Sequence, residues 1–402
     1  MKVVQINAVC GKGSTGRICI DIADTLIDQG HDCKILYGNG TSNYPHGINV
    51  SNKWLVKLNA LRARITGNDI GGCYVSTWRI LRFLKQYKPD VVHLHNLHAH
   101  YVNLPILCRY LSKNDIPTVI TLHDCWFLTG GCTHYTAAGC YRWQGDCKNC
   151  PGFSNGIKGW FFNPASSSFS KKREALLSIP RLAVIGVSDW ITNEARKSFL
   201  QKATVLKRIY NWIDTSVFYP RSGNLRQMFH LPDNKFLVLC IGAGWHATAS
   251  KCKDLQRLAE ALPENMRIIL AGLVASDIQL PDNVIKVGYI SDTEKLARLY
   301  SVADAYVHLS QEDTFGKVIA EAMACGTPAV VYDTTACPEV VKLGNGCIVK
   351  PGDIGAIIEN LRIIQKASCK SPIGSSVANT RSYFNKKTLI NETIELYTSL
   401  VQ

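Results

Sequence analysis

Residues 305–309, Ala-Tyr-Val-His-Leu, run into Ser310-Gln311-Glu312-Asp313-Thr314-Phe315-Gly316-Lys317-Val318-Ile319-Ala320-Glu321-Ala322-Met323-Ala324-Cys325-Gly326-Thr327-Pro328. The first five residues read as a short β-strand, and the polar loop after them holds two acids and a glycine. A helix is predicted over 316–325, ended by Gly326 and Pro328. Residues 329–332, Ala-Val-Val-Tyr, are the next strand. A strand, a helix and a second apolar strand make a crossover unit, the building block of a parallel sheet covered on both faces.

The same alternation spreads in both directions. Residues 236–241 are nearly all apolar, as a buried parallel strand should be, and strand signals recur at 267–271, 284–287 and 347–349. Helical patterns lie between them, near 251–262 and 292–302. The N-terminal half carries strand signals at 3–9, 33–37, 91–95, 118–122 and 182–187. The pattern restarts after residue 205, so two α/β domains follow one another, with 210–220 as the expected linker and a last helix near 386–402.

The chain has 402 residues, 46% hydrophobic and 19% charged, which excludes a disordered, collagenous or coiled-coil protein. No apolar run reaches the ~18 residues of a membrane span. Gln5 and Asn7 interrupt the N-terminal apolar stretch, which reads as a first strand of a cytoplasmic protein, not as a signal peptide. A net charge of +14 points to an anionic partner: phosphates, nucleic acid or an acidic membrane face. There is no nucleic-acid motif and no basic stripe interleaved with aromatics, so nucleic acid is not expected. Basic clusters at Lys53, Lys57, Arg62 and Arg64, and at Lys171, Lys172 and Arg173, suit an anionic membrane surface.

Four groups of residues could carry chemistry. Gly11 to Gly16 matches G-x-G-x-x-G between a strand and a helix, where main-chain N–H groups can approach a ligand closely. The second strand ends Leu36-Tyr37-Gly38-Asn39, without the acid a nicotinamide dinucleotide site wants. His93, His95, His98 and His100 precede His123, which ends a strand, where α/β sheets receive ligands. No accompanying carboxylate set makes them a metal site, so His123 is expected in a polar role and the other four as structural. Asp313 and Glu321 bracket a helix N-terminus, an arrangement for a ligand with both phosphate and hydroxyls. Finally, Cys132, Cys140, Cys147 and Cys150 lie in a glycine-dotted loop, 129–156, with a C-x-x-C knuckle. They are expected to hold a structural Zn²⁺; an iron–sulfur cluster and unliganded or redox-paired thiols are the alternatives. The remaining twelve cysteines are scattered singly and read as small buried hydrophobes.

The chain resembles the family 4 retaining glycosyltransferases of the GT-B fold along essentially its whole length. Residues 310–328 resemble the family's E-x7-E motif, with Asp313 in place of the first glutamate and Glu321 as the second. Asn211-Trp212-Ile213-Asp214, with Phe218 and Pro220, looks like the family's linker, and Lys251 like its diphosphate-binding lysine, although Cys252 replaces a glycine. The resemblance implies two Rossmann-like domains facing across a cleft. Residues 1–208 with the helix 383–402 would form the acceptor side, and 209–382 the nucleotide-sugar side. It implies sugar transfer from a nucleotide-sugar donor to a hydroxyl of a saccharide or lipid-linked acceptor, without a catalytic metal. Such enzymes serve capsule or O-antigen synthesis, here peripherally at the inner face of the plasma membrane. It assigns catalysis to His123, Lys251, Asp313 and Glu321. Donor contacts fall to Gly13, Gly16, Lys251, Asp313, Thr314, Phe315, Gly316, Lys317 and Glu321. A sugar-nucleotide epimerase of the same fold, and a nicotinamide-dependent oxidoreductase, are the rival readings.

Overall fold

A computed structural model describes residues 1–151, 159–367 and 375–402. Two all-parallel sheets are present. Strands β1 (Lys2–Asn7), β2 (Asp32–Tyr37), β3 (Gly47–Asn49), β4 (Val91–Leu94), β5 (Thr118–Leu122), β6 (Leu182–Gly186) and β7 (Val205–Arg208) lie in the order β3-β2-β1-β4-β5-β6-β7. Strands β8 (Phe236–Trp245), β9 (Met266–Val274), β10 (Val284–Gly288), β11 (Ala305–His308), β12 (Ala329–Tyr332) and β13 (Gly346–Val349) lie in the order β10-β9-β8-β11-β12-β13. The central strands β4, β5, β6, β11 and β12 are buried at every residue, which is why their sequences are apolar runs and not alternations.

Each sheet reverses its direction of growth once, between β1 and β4 in the first and between β8 and β11 in the second. Beyond the carboxyl ends of such a strand pair the two loops diverge and leave a crevice, the place where open α/β sheets bind ligands.

The chain divides into two compact units, Met1–Ile209 with Ile390–Gln402, and Tyr210–Leu389. The return to the first unit falls inside the helix Lys386–Val401. There the Tyr397 hydroxyl lies 2.6 Å from Nδ1 of His93. Residues 210–220, expected as a linker, begin the second unit instead. Trp212, Ile213 and Phe218 are buried, and the Ile213 N–H donates to the Phe384 carbonyl at 3.0 Å. Two edge strands, β3 and β7, were not visible in the sequence: they are short and only partly buried, so they carry no apolar run. Strand β8 continues past the expected end at 241, because a register shift between Ile241 and Gly244 lets pairing with β9 resume.

Candidate active site

The switch point of the second sheet gathers most of the residues singled out from sequence. Beyond β8, Lys251 occupies the first turn of the helix Ser250–Ala261, half-buried, with Nζ 5.0 Å from the Trp245 ring centre. Gly242 makes room for it, since a Cβ there would stand 3.1 Å from Nζ. Burial pulls Lys251 below its ordinary pKa, and the Asp313 carboxylate pulls it back up, so the two charges act on one another. Beyond β11, Asp313 is held from behind: Nε2 of His308 donates to its Oδ2 at 2.7 Å, and Nδ1 of His308 lies 2.8 Å from the Tyr306 hydroxyl. Burial works against charge on His308. Tyr306, Asp313 and Cys337 together outweigh it and hold His308 well above its ordinary value.

Gly316 then starts the helix Lys317–Ala324 with φ +77°, and a Cβ on it would stand 2.6 Å from Ile319 Cδ1, so glycine is required there. No side chain caps this helix N-terminus, whose amides carry partial positive charge. Lys317, half-buried, adds a full charge beside them. In the second turn the buried Glu321 accepts a hydrogen bond from the Tyr300 hydroxyl at 3.1 Å. Thr314 is buried, and the Phe315 ring packs on Phe384 and Tyr210 at 5.2 and 6.0 Å between ring centres. Phe315 therefore serves the core, and only its main chain can face a ligand.

At the switch point of the first sheet, Gly11 and Gly13 take positive φ (72° and 64°) and Gly16 packs so tightly that a Cβ would stand 3.0 Å from the Gly11 nitrogen. Asn7, at the end of β1, ties the two loops: Oδ1 accepts from the Asn96 N–H at 3.1 Å and Nδ2 donates to the Val9 carbonyl at 2.8 Å. The histidines form a relay. Gln5 Nε2 donates to the Cys19 carbonyl at 2.8 Å, so its Oε1 faces Nε2 of His95 at 3.0 Å. That pattern assigns the proton to Nε2 of His95, whose Nδ1 then accepts from Nε2 of His123 at 3.0 Å. Burial pushes His123 down to about 4 and His93 and His95 well below their ordinary range, so all three are neutral imidazoles at neutral pH. His98 goes the other way, because its bond to Asp124 (2.7 Å) outweighs its burial. His100 is lowered by burial. Sequence reasoning missed His308 and Tyr300, the two side chains that orient Asp313 and Glu321; each lies inside an apolar stretch that reads as core.

Cys132, Cys140, Cys147 and Cys150 line one cavity of about 180 Å³ in the first unit. The helix Lys53–Thr66 has an apolar outer face: Ala63 is its one buried residue, while Trp54, Leu58, Leu61 and Ile65 are exposed. Tyr74, Val75 and Trp78 of the helix Tyr74–Tyr87 are exposed too, as are Trp160, Phe161 and Phe162. Neither helix contains an acidic residue. Two members of the basic clusters turn inward. Lys172 is fully buried, and Arg62 donates to the Asn68 carbonyl at 3.0 Å, so neither is available to a surface partner. Among the described residues, no helix is long and apolar enough to cross a membrane.

Two α/β sheets, each with one switch point, one of them carrying a lysine, two acids and an uncapped helix, fit a sugar-nucleotide transferase of the GT-B fold. The chain belongs to Glycosyltransferase Family 4, whose model matches residues 15–217, and the model for glycosyl transferases group 1 matches residues 226–372. It is 22% identical to the putative colanic acid biosynthesis glycosyl transferase WcaC of Escherichia coli K12 over the whole of both chains. It is 32% identical to D-inositol 3-phosphate glycosyltransferase of Mycolicibacterium smegmatis over 37% of each chain. In structure it resembles sucrose-phosphate synthase from Thermosynechococcus elongatus, with a TM-score of 0.72 at 16% identity over 99% of this chain and 98% of that one. It also resembles Anabaena Alr3699/HepE in complex with UDP-glucose, with a TM-score of 0.68 at 18% identity over 99% and 100%. The epimerase and oxidoreductase readings draw no support from these likenesses.

Proposed function

We propose that this chain is a retaining glycosyltransferase of envelope polysaccharide synthesis, working as a peripheral protein at the cytoplasmic face of the membrane. It moves a sugar from a nucleoside-diphosphate donor to a hydroxyl of a lipid-linked saccharide. The observation that carries the reading is the convergence of Lys251, Asp313 and the uncapped N-terminus of the helix Lys317–Ala324 at one switch point. In the reaction the bond from the anomeric carbon to the diphosphate breaks and a bond to the acceptor oxygen forms on the same face. The acceptor's proton passes to the departing diphosphate oxygen. Lys251 and the helix amides meet the charge that grows on that leaving group, each contact supplying ~2–4 kcal/mol. Glu321, buried and aligned by Tyr300, accepts from ribose hydroxyls; Asp313, aligned by His308, accepts from the donor sugar. His123 offers a neutral imidazole to a sugar hydroxyl. The full-length likeness to a colanic acid transferase supports the envelope setting, and the exposed aromatic and basic helices support the membrane setting.

Lys251→Ala and Glu321→Gln are the test, read as nucleotide release from a panel of nucleotide sugars with an oligosaccharide-lipid acceptor. Both variants should remain folded and lose most transfer, and the product's anomeric configuration by NMR should match the donor's. Near-wild-type rates in both variants, or an inverted product, refute the reading.

A further inference from the structure

The four-cysteine loop lies outside the machinery described above. Cys132, Cys140, Cys147 and Cys150 converge on one cavity although they come from separate turns. Gly130 sits so close to Cys147 that a Cβ on it would stand 3.2 Å from the Cys147 Cβ. Within the knuckle, Cys147 and Asn149 both adopt left-handed backbone (φ 53° and 51°), an unfavourable state for non-glycine residues. The turn is pinned by the Cys147 N–H donating to the Arg142 carbonyl at 3.0 Å and by Arg142 Nη1 donating to the Lys148 carbonyl at 3.1 Å. Close by lies the fully buried Lys172. Its ammonium donates to the main-chain carbonyls of Thr129 (3.0 Å) and Trp126, and it feels Cys132 and Cys147 as well as Asp69 and Asp124. The cavity wall also carries Arg142 and the buried Asp69, whose carboxylate acts on Lys172.

We propose that Cys132, Cys140, Cys147 and Cys150 bind one structural Zn²⁺ as a tetrathiolate, and that this clip holds the aromatic segment 160–162 against the end of the helix Lys53–Thr66. Binding exchanges four thiol protons, released to water, for four Zn–S bonds, and leaves a site of net charge −2 beside Lys172, Arg142 and Asp69. Four ligands leave no open position, so the ion is structural. Among the described residues the one trio of ligating atoms mutually within 4.8 Å is His308, Asp313 and Cys337, so no three of the four thiol sulfurs lie that close together. Zn–S bonds of about 2.3 Å would bring the sulfurs to about 3.8 Å from one another. The ion therefore contracts the cavity, and the glycines Gly130, Gly131, Gly139 and Gly145 give the loop the freedom to do so.

The mechanical link is on the far wall. The Cys150 carbonyl accepts from Asn163 Nδ2 at 3.2 Å, and Asn163, Phe162, Gly159 and Gly67 line the same cavity. The Trp160 N–H donates to the Arg64 carbonyl at 2.5 Å, and a Cβ on Gly159 would stand 2.6 Å from the Gly67 Cα. Drawing Cys150 inward thus seats segment 160–162 on the helix end.

Elemental analysis of full-length protein purified in reductant without added zinc should give one zinc per chain. Cobalt exchanged into that protein should show the visible bands of a tetrahedral thiolate site. Cys147→Ser/Cys150→Ser should lose the metal, whereas Cys108→Ser, a buried cysteine outside the cluster, should keep it. Because the double variant could fail to fold, wild-type protein is also treated with a chelator. Trypsin cleavage after Arg142 and Lys148 should then rise roughly tenfold, as a local opening becomes cheaper, and zinc should restore protection. Absence of stoichiometric metal in freshly reduced protein overturns the site. So does iron with acid-labile sulfide in place of zinc. Unchanged cleavage after demonstrated zinc loss overturns the clip.

Discussion

If the protein docks on a membrane as proposed, replacing Phe161 and Phe162 together by Ala should remove most of its salt-resistant affinity for anionic vesicles. Phe161 is 73% exposed and Phe162 63%, so about two-thirds of each ring's contact surface is available to a bilayer interface. Full burial of such a side chain is worth ~1.5–3 kcal/mol. The fraction still open therefore offers ~1–2 kcal/mol per ring at full insertion, and about half that at headgroup depth. At ~1.4 kcal/mol per factor of ten, losing both rings should lower vesicle partitioning by ~5-fold to several hundredfold. Lys53→Gln/Lys57→Gln should act differently. Each charge adds ~1 kcal/mol near an anionic surface, and salt screens that gain. The lysine variant should thus bind weakly at low salt and match wild type at high salt, while the phenylalanine variant is weaker at both. Co-sedimentation with phosphatidylglycerol/phosphatidylethanolamine vesicles at two salt concentrations measures this, with thermal melting to verify that these exposed positions leave the fold intact. Wild-type sedimentation of the phenylalanine variant at both salts, or no binding by wild type at low salt, refutes a docking face built from this segment.

Asp313→Asn should reduce transfer more than Glu312→Gln, because it is Asp313 that His308 aligns and that acts on Lys251; the opposite ranking of kcat/KM would show the loop's contact to lie one residue earlier. Gly316→Ala forces an L-residue to φ +77°, at ~1–2 kcal/mol, and drives a Cβ toward Ile319; the melting temperature should fall a few degrees and donor KM should rise, and an unchanged KM would detach this helix end from the donor. Phe315→Ala should cost ~3–5 kcal/mol of stability, since the ring is core against Phe384 and Tyr210; a stable but donor-blind variant would return the ring to the site. His93 and His95, kept neutral by burial, are protonated below about 6.5 only when the chain unfolds. The unfolded state therefore binds more protons there, and stability should drop as pH falls, by up to ~2.7 kcal/mol per pH unit for the pair; equal urea midpoints at pH 7.5 and 5.5 would contradict it.

What the sequence reveals here follows from burial. Strands β5 and β12 have the predicted bounds, because fully buried parallel strands are uninterrupted apolar runs with polar flanks. Asp313 and Gly316 stand out because a charged residue and a glycine follow the apolar run of β11, Glu321 because it brackets the next helix N-terminus with Asp313, and Lys251 only through the family resemblance. The side chains that aim them do not: His308 and Tyr300 read as strand and helix core, and a buried histidine becomes a positioning group only through a partner that folding supplies. The helix Lys53–Thr66 reads from sequence only as a cluster of basic residues, and a charge count does not reveal that Trp54, Leu58, Leu61 and Ile65 form an exposed apolar face beside those charges. Lys172 shows the same limit for charge: counted with Lys171 and Arg173 as a surface cluster, it is buried against main-chain carbonyls.

The two switch points share a topology and differ in electrostatics, a difference that fits the two tasks of the proposed function. Beyond β1, β4 and β5, three histidines are held neutral by burial and by a relay that begins at Gln5. Such groups exchange hydrogen bonds with hydroxyls without attracting a counter-ion, which suits a saccharide. Beyond β8 and β11, His308 is held above its ordinary value by Asp313 and Tyr306, Lys251 keeps its ammonium half-buried, and helix amides add partial positive charge. Positive charge gathered where water is partly excluded acts at a lower effective dielectric, so it stabilises a diphosphate more as its charge grows than while the sugar is still attached. Asp313 fits this division. Its bond to His308 occupies one carboxylate oxygen, so under the proposed function the donor sugar would meet a carboxylate already fixed in place.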